Sequence, residues 1–281
     1  MEKTNLLLDI EFLYKEFTKV EKKIADFVLK NPQKVLFMSI TELAENCKVA
    51  EASVHRFCRA LKIKGYQEFK MLLSLSVISD NQEPNQTSQK HEGGMIGDIL
   101  QNHLNAIKET NALLDEKEVK KTVDMMLTAK NIIFLGVGNS MMTAEEAYGK
   151  FLHITPNVSY IADAHMQSMR AAMASNQDVF VFFSYSGDTK DNVHVESLAH
   201  ERGAGIVVIT RYPKSEITKL ADTVLICGSK ESPLEGGSMG AKMSQLHIID
   251  VLFQYYYQNS LEVSRQHNRE TAKGNLDKFF N

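Results

Sequence analysis

The stretch VFVFFSYSGDTKDN, Val179 to Asn192, joins five large apolar residues to a short segment that carries three serine and threonine hydroxyls. A continuous apolar run of this kind, without polar alternation, is typical of a strand covered on both faces of a parallel sheet. In such a sheet, ligands bind beyond the carboxyl ends of the strands, where helix N-termini offer free amides. The stretch therefore predicts a buried strand that ends in a ligand-binding turn.

Four more apolar runs accompany this one, namely NIIFLG, VSYIA, GIVVIT and TVLIC. Helical segments are predicted near residues 140–152, 165–176 and 188–202, with a short one near 215–221 and a long closing helix over about 237–257. Strands and helices therefore alternate, which indicates a parallel sheet with helices on both faces. We predict an α/β C-terminal domain built as a three-layer αβα sandwich.

A change of composition separates this region from the first part of the chain. Residues 79–94, SDNQEPNQTSQKHEGG, are polar and end in two glycines, as linkers do. Only helical patterns occur before them. The predicted organisation is an all-α domain over 1–78, this linker over 79–94, the α/β domain over 95–260 and a charged tail over 261–281 that forms a packing or dimer helix.

The composition is that of an ordinary globular chain. Of its 281 residues, 43% are hydrophobic and 24% charged, and the net charge is −3. The cysteines, Cys47, Cys58 and Cys227, lie in no metal-ligand spacing, so we expect reduced thiols and no metal. No apolar run approaches the length of a membrane span, and the N-terminus is unlike a signal peptide. We therefore expect a cytoplasmic protein without a membrane partner.

Two helix starts in the N-terminal region carry the pattern of a capping box. Thr18 precedes Glu21 by three residues, and Ser39 precedes Glu42 by the same spacing. In each pair, the two side chains can bond the backbone amides that a helix start leaves without partners. We expect a helix to begin after Thr18 and a short helix, ITELAEN, to begin after Ser39.

The segment AEASVHRFCRALK predicts a helix with one apolar and one polar, basic face. Val54, Phe57, Cys58 and Leu61 recur at i, i+3, i+4 and i+7 and point inward. With the short helix and tight turn before it, this segment predicts a helix-turn-helix whose second helix can enter the major groove of DNA. Periodicity alone leaves a plain helical hairpin open. The predicted DNA contacts are Lys48, Glu51, Ser53, His55, Arg56 and Arg59, and Lys62 lies on the same outer face.

Residues 39–70, SITELAENCKVAEASVHRFCRALKIKGYQEFK, resemble the DNA-binding domain of the RpiR family of bacterial transcription regulators. The family pattern is similar to SIxELAxxxGVSxxTVxRFxxxLGFxGYxxFK, and most positions agree, including Arg56 and Phe57. Lys48 and Lys62 stand where glycine is usual, and Ala50 replaces the usual N-cap serine. We expect the missing cap to cost about 1 kcal/mol and a lysine in the turn to take a strained backbone.

Two turns in the C-terminal region follow strands and precede helices. The first lies in LGVGNSMMTAEEA, residues 135–147, and the second in the stretch quoted first. GxGxx in the first turn is only part of a dinucleotide fingerprint and is weak alone. Ser186 and Asp188 could serve as helix caps instead of ligands. The second turn lacks the glycine that precedes the serine of a nucleophile elbow.

The pair of turns resembles the sugar isomerase (SIS) domain, a phosphosugar-binding module, over about residues 125–257. Its signature is similar to GxGxS after one strand and SxSGxT after a later one, and this chain has GVGNS and SYSGDT. The resemblance implies that hydroxyls and nearby backbone amides hold the phosphate, with two further residues beside the sugar. These residues are Gly138, Asn139, Ser140, Ser184, Ser186, Gly187 and Thr189, with His165 and Glu235 as the further pair.

RpiR regulators join the two domains in this order, so we expect a transcriptional regulator of carbohydrate metabolism that senses a sugar phosphate. It would bind operator DNA as a homodimer or homotetramer and need no cofactor. A phosphosugar isomerase is the alternative, because SIS domains also occur in enzymes. His165, Glu235 and His247 are the candidate bases, yet they form no constellation that demands catalysis. A DNA-binding protein whose sugar pocket has lost its ligand is a third possibility.

Overall fold

The computed structural model describes residues 5–80, 94–229, 234, 238–274 and 276. The chain divides into two compact units, Met1–Asn102 with Lys230–Ser238 and His103–Ser229 with Met239–Asn281. Most of the predicted linker, residues 81–93, lies outside the described residues. Across the described residues, no helix is both long enough and apolar enough to cross a membrane.

The first unit is helical, as predicted. Its helices are α1 (Leu6–Leu13), α2 (Lys19–Lys30), α3 (Pro32–Val35), α4 (Ile40–Cys47), α5 (Glu51–Ala60), α6 (Tyr66–Asp80) and the start of α7 (Gly94–Leu113). The ring of Phe57 lies at the centre of the core, with ring centroids 5.2 Å from Phe17 and 6.0 Å from Phe69. Val54 and Cys58 are buried beside it, so α5 packs by the face that the sequence pattern predicted.

Both predicted capping boxes are present. At the start of α2, the amide of Glu21 donates to Thr18 Oγ1, and the amide of Thr18 donates to the Glu21 carboxylate. Ser39 and Glu42 make the same reciprocal pair at the start of α4. Ala50 precedes α5 without any side-chain cap, as the departure from the family pattern led us to expect.

The second unit is a parallel sheet between two layers of helices. Its strands are β1 (Asn131–Gly136), β2 (Val158–Tyr160), β3 (Asp178–Phe183), β4 (Gly205–Thr210) and β5 (Thr223–Ile226), in the order β2-β1-β3-β4-β5. Its helices after α7 are α8 (Glu116–Thr128), α9 (Asn139–Leu152), α10 (Ala164–Ala172), α11 (Lys190–Glu201), α12 (Met239–Asn259) and α13 (Leu261–Lys273). All five predicted strands are confirmed. The segment near 215–221 forms only a 3₁₀ turn, Glu216–Thr218, because the Thr218 hydroxyl donates to the carbonyl oxygens of Pro213 and Ser215 and so competes with helical bonding.

The apolar run of β3 is explained by its position between the layers. Val179, Val181 and Phe183 pack into the core shared with α8, α9 and α12. Phe180 and Phe182 pack into the opposite core, with α10 and α11. Every β3 side chain is therefore buried, which removes the polar alternation of a one-sided sheet and confirms the three-layer architecture.

The charged tail forms α13 and packs on its own unit. The ring nitrogen Nδ1 of His267 lies 3.0 Å from the carbonyl oxygen of Ile154, just after α9. Ser264 is fully buried, and its hydroxyl lies 2.7 Å from that of Ser260. Of the two roles considered for the tail, packing is the one that these contacts support.

Candidate ligand site and DNA-binding surface

The two hydroxyl-bearing turns leave the sheet side by side. From β1 the chain passes to β2 on one side, and from β2 it returns past β1 to β3 on the other. The strand order therefore reverses between β1 and β3, which is the topological switch point of the sheet. Gly136 and Phe183, the last residues of these strands, are paired in register. The turns 136–140 and 184–189 thus begin at adjacent points of one sheet edge.

The first turn depends on glycine at two positions. A Cβ on Gly136 would lie 2.5 Å from the carbonyl oxygen of Ser140, so the strand end and the helix start can approach only without a side chain. Gly138 has φ +61° and precedes α9 without a side-chain cap. The first amides of α9 therefore receive no cap from that residue, and Ser140 lies half-buried in the same turn.

The second turn places one buried hydroxyl and two half-buried ones at the start of α11. Ser184 is 2% exposed, and its Oγ has no hydrogen-bond partner among the described residues. The Oγ of Ser186 accepts a long bond, 3.5 Å, from the amide of Asp188. Thr189 is the N-cap residue of α11, yet its side chain makes no capping bond. Ser184, Ser186 and Thr189 are therefore grouped at a helix N-terminus, as the sequence predicted.

Gly187 and Asp188 fix the second turn to the 3₁₀ turn that follows β4. Gly187 has φ +70°, and a Cβ there would overlap the hydroxyl of Ser215. Its carbonyl oxygen accepts from the amide of Ile217 at 3.0 Å. The Asp188 carboxylate accepts from the amide of Glu216 at 3.2 Å. These two bonds fix the backbone of the turn, and neither of them uses the hydroxyls of Ser184, Ser186 or Thr189.

A lysine from a distant part of the sequence lies beside the first turn. The Nζ of Lys242, on α12, is 3.3 Å from the sulfur of Met142 in the first turn of α9. A buried bond of 2.8 Å from Thr143 Oγ1 to Gln245 Oε1 joins the same two helices. Within the described part of the chain, this ammonium has no other hydrogen-bond acceptor. Sequence reasoning missed Lys242, because about a hundred residues separate it from the motif and no local spacing marks it.

The two residues suggested for the sugar, and the third candidate base, are placed differently. His165 is exposed on the first turn of α10, whose N-cap Asp163 accepts from the amide of Met166 at 2.9 Å. Glu235 lies outside the described residues. His247 is half-buried on α12, and its Nε2 has no partner in the described part of the chain.

The helix-turn-helix, α4 and α5, presents His55, Arg56 and Arg59 to solvent. Lys48 is exposed in the turn between the helices. Glu51, at the start of α5, is half-buried and accepts from Thr41 Oγ1 at 2.6 Å, which ties α5 to α4. The exposed cations of this surface are Lys48, Arg56 and Arg59.

The placement of Ser53 differs from the outward position that the pattern predicted. Ser53 is buried, and its Oγ accepts from Arg56 Nη2 at 3.0 Å. The reason is helical geometry, because Ser53 precedes Phe57 by one turn and adjoins Val54, so it borders the apolar face. In this arrangement Ser53 orients the Arg56 guanidinium.

Two family models match the chain: the helix-turn-helix domain of the rpiR family over residues 4–80 and the SIS domain over residues 125–255. A helix-turn-helix-type transcriptional regulator of Haemophilus influenzae is 34% identical over 273 residues, which are 95% of each chain. The chain belongs to the RpiR family of transcriptional regulators. The RpiR and SIS resemblances seen in the sequence are both confirmed.

Two further relatives of this RpiR-family regulator carry informative names. HexR of Pseudomonas aeruginosa, a helix-turn-helix-type transcriptional regulator, is 33% identical over 253 residues, covering 88% of this chain and 87% of HexR. The solved structure of the Vibrio vulnificus NanR protein, complexed with ManNAc-6P, has a TM-score of 0.89 and 28% identity, over 98% of this chain and 100% of NanR. The fold of this regulator is thus that of a helix-turn-helix domain joined to a SIS domain.

Buried polar atoms without a partner occur in the second turn of the regulator and in α11, the helix that follows it. Among the described residues, six buried side-chain atoms lack a hydrogen-bond partner, and four of them belong to Ser184, Asn192 and Glu196. Asn192 and Glu196 are each 1% exposed and lie one helical turn apart on α11. Burial, with a smaller contribution from the negative charge of Glu216, raises the pKa of Glu196 to about 8. The start of α11 is therefore destabilised by its own polar groups.

We expect Glu196→Gln to stabilise the regulator more at high pH than at low pH. The folded carboxyl keeps its proton up to its pKa of about 8, whereas the unfolded one loses it near the ordinary value of 4.5. Below the unfolded pKa, Glu196 therefore does not reduce the free energy of unfolding. As pH rises from there towards 8, the free energy of unfolding falls, because the unfolded carboxyl loses its proton and the folded one does not. Calorimetry should show a Tm difference, variant minus wild type, that grows by several degrees from about pH 5 to about pH 8. Glu201→Gln, exposed on the same helix, is the control and should show no such growth. A difference that is constant with pH would contradict a buried, protonated Glu196.

Proposed function

We propose that this RpiR-family regulator binds a sugar phosphate at the two hydroxyl-bearing turns and that this binding changes its affinity for operator DNA. The observation that carries the proposal is that the turns 136–140 and 184–189 leave the sheet side by side at the switch point. Each turn leads into a helix, α9 or α11, whose N-terminus has no side-chain cap. Helix N-termini favour anions because their free amides and the helix dipole both point at the ligand.

The chemistry of the turns suits a phosphate that must bind and leave. Hydroxyls of Ser140, Ser184, Ser186 and Thr189 can donate to phosphate oxygens, while the backbone amides of Gly138 and Asn139 add further donors. The amide of Gly187, which the sequence also suggested as a donor, donates to Ser184 O at 3.1 Å, so Gly187 would serve the site through the backbone conformation of the turn. The Ser184 hydroxyl is buried without a partner, so a bound phosphate oxygen would satisfy it. Lys242, beside the start of α9, would supply a full positive charge close to the first turn.

The sugar portion would extend from the turns towards solvent, where His165 is exposed. Glu235, which lies outside the described residues, remains the second residue that the resemblance suggests for the sugar. Both side chains can bond sugar hydroxyls, and neither needs to transfer a proton for that role. NanR was solved with ManNAc-6P, so N-acylated hexosamine 6-phosphates are the first compounds to test here. Plain hexose 6-phosphates are the second class.

The response to ligand would pass from the SIS domain to α5. Helix-turn-helix proteins usually read paired half-sites, so we infer a homodimer or a dimer of dimers on the operator. By linkage, a sugar phosphate that weakens DNA binding is itself bound more weakly in the presence of DNA, by the same factor. No turnover is required for this function, and the relatives named above are regulators.

The test is a calorimetric titration of sugar phosphates into the protein, with and without DNA that the protein itself selects from a random library. We expect at least one compound to bind with a micromolar to millimolar Kd and to change DNA affinity. Ser186→Ala should weaken that binding about 10- to 100-fold, since a hydrogen bond to a charged group is lost. Ser197→Ala, further along α11, is the matched control and should leave binding unchanged.

Three results would contradict the proposal in different ways. If no sugar phosphate binds, the sensing function is wrong and the third possibility, a pocket without a ligand, is favoured. If a sugar phosphate binds but leaves DNA affinity unchanged, the sensing function is wrong although the pocket has a ligand. If pure protein interconverts aldose and ketose phosphates, as followed by NMR, the isomerase alternative is favoured instead. His165 is exposed and His247 is half-buried, and among the described residues neither is joined by a hydrogen bond to a second acid or base for that reaction.

A further inference from the structure

Two lysines hold an unusual backbone conformation at the ends of the DNA-binding helices. Lys48 has φ +54° and Lys62 has φ +60°, and no other non-glycine residue in the described part of the chain has a positive φ. Lys48 follows α4 and Lys62 follows α5, so the two residues bracket α5. Backbone conformations that residues with a Cβ avoid tend to be kept where they serve a function.

The two lysines occupy equivalent positions in the same type of helix end. The amide of Lys48 donates to Glu45 O at 3.0 Å, and the next amide, of Val49, donates to Ala44 O at 3.0 Å. The amide of Lys62 donates to Arg59 O at 2.8 Å, and the next amide, of Ile63, donates to Cys58 O at 2.9 Å. The second bond in each pair spans five residues, as in a Schellman motif, whose left-handed position is normally glycine. A glycine would therefore satisfy both turns without strain.

Contacts within the protein do not account for a lysine at either position. Both side chains are exposed, and neither ammonium makes a hydrogen bond or ion pair with a described residue. A cation near the end of a helix gains from the helix dipole, but any position in the last turn offers that gain without a left-handed backbone. What the two positions share instead is their location at the two ends of α5.

That location matches the phosphate backbones on either side of the major groove. The ten residues of α5 span about 15 Å at 1.5 Å per residue, and the groove is about 12 Å wide. His55, Arg56 and Arg59 are exposed along the helix between the two lysines. With α5 in the groove, each lysine would lie at one end of the helix, where the phosphate backbones border the groove.

We propose that Lys48 and Lys62 are a pair of phosphate-binding residues and that their strained backbone is kept because it directs both ammonium groups to DNA. Phosphate contacts position a helix-turn-helix on the duplex and carry no sequence information. The pair therefore sets overall affinity, while base contacts from α5 set specificity. This proposal rests on α5 being the DNA-binding helix.

The test combines a stability measurement with a DNA-binding measurement on the full-length protein. The variants are Lys48→Gly and Lys62→Gly, which remove the charge and the strain, and Lys62→Asn, which removes the charge but tolerates the left-handed backbone. The DNA is a mixed-sequence duplex of about 30 base pairs, roughly three helical turns. The control is Lys15→Gln, at an exposed lysine after α1.

Each variant of Lys48 or Lys62 should bind the duplex severalfold more weakly. The slope of log K for DNA binding against log salt concentration should become shallower by about 0.9 for each lysine removed. The reason is that one fewer phosphate is neutralised, so fewer counterions are released from the DNA. The Tm of each glycine variant should equal or exceed that of the wild type. Lys15→Gln should alter neither the affinity nor the slope.

Three outcomes would overturn the proposal. Glycine variants with a lower Tm would show that the lysines stabilise the turns. Unchanged affinity and slope would show that their ammonium groups do not meet phosphate. If Arg56→Ala also leaves affinity and slope unchanged, the DNA-binding surface is not α5, and both this inference and the role of α5 fail together. The titration with sugar phosphates is independent of all three results.

Discussion

Gly187→Ala is expected to weaken sugar phosphate binding at least 100-fold and to lower the stability of the second unit. Gly187 has φ +70°, which a residue with a Cβ avoids, and the added methyl would overlap the Ser215 hydroxyl. Ser215 cannot easily move, because it is buried and its hydroxyl donates to Tyr212 O at 2.9 Å. Strain and overlap together should cost about 2–4 kcal/mol. The turn 184–189 would have to shift, and its hydroxyls and amides with it.

Gly149→Ala is the matched control for this experiment. Gly149 lies within α9, has no positive φ, and a Cβ there meets no atom within 4 Å. Alanine should therefore stabilise α9 by about 0.5–1 kcal/mol and leave ligand affinity unchanged. The measurements are the Kd by calorimetry and the Tm of each variant. A Gly187→Ala protein that is folded and binds the same sugar phosphate as tightly as wild type would show that the turn does not hold the phosphate. If the variant is too unstable, Gly187→Ala combined with Ser215→Gly removes the overlap and keeps the backbone strain.

Phe57→Ala is expected to destabilise the first unit by about 3–5 kcal/mol, the usual cost of deleting a buried aromatic side chain. Phe57 is 0% exposed and contacts the rings of Phe17, just before α2, and of Phe69, on α6. It also lies on α5, so its loss removes the support for the exposed face that carries Arg56 and Arg59. DNA binding should be lost, whereas sugar phosphate affinity should stay within about twofold, since the second unit has its own core.

Phe12→Ala is the control for Phe57→Ala, because Phe12 is also in the first unit but 85% exposed. Its replacement should change stability by no more than about 0.5 kcal/mol. The measurements are the stability of both variants by calorimetric unfolding and their affinity for DNA. DNA binding that survives Phe57→Ala at wild-type affinity would mean that α5 does not carry the DNA contacts. A loss of sugar phosphate binding in the same variant would mean that the two units do not fold independently.

Local patterns predicted the fold of this protein well, because their causes are local. The capping boxes at Thr18 and Ser39 act within four residues of chain, and both are present. The apolar runs predicted all five strands, since strands buried on both faces leave no place for polar side chains. The weakest prediction was the helix near 215–221, where bonds from the Thr218 hydroxyl to nearby carbonyl oxygens leave only the 3₁₀ turn Glu216–Thr218. The exposure of Ser53 also differed, because a residue at the border of an amphipathic face can turn either way.

The sequence by itself determined the family, the order of its two domains, the five strands and the two turns that carry hydroxyls. Each of these follows from residues that are close together in the chain, because a local pattern of side chains determines the local backbone structure. Only the tertiary structure decided that Lys242 lies beside the start of α9, that the Asp188 carboxylate bonds the Glu216 amide, and that Ser215 restricts Gly187. These are contacts between distant parts of the chain. Their free energies depend on burial and on distances of a few ångströms, which no spacing along a sequence encodes.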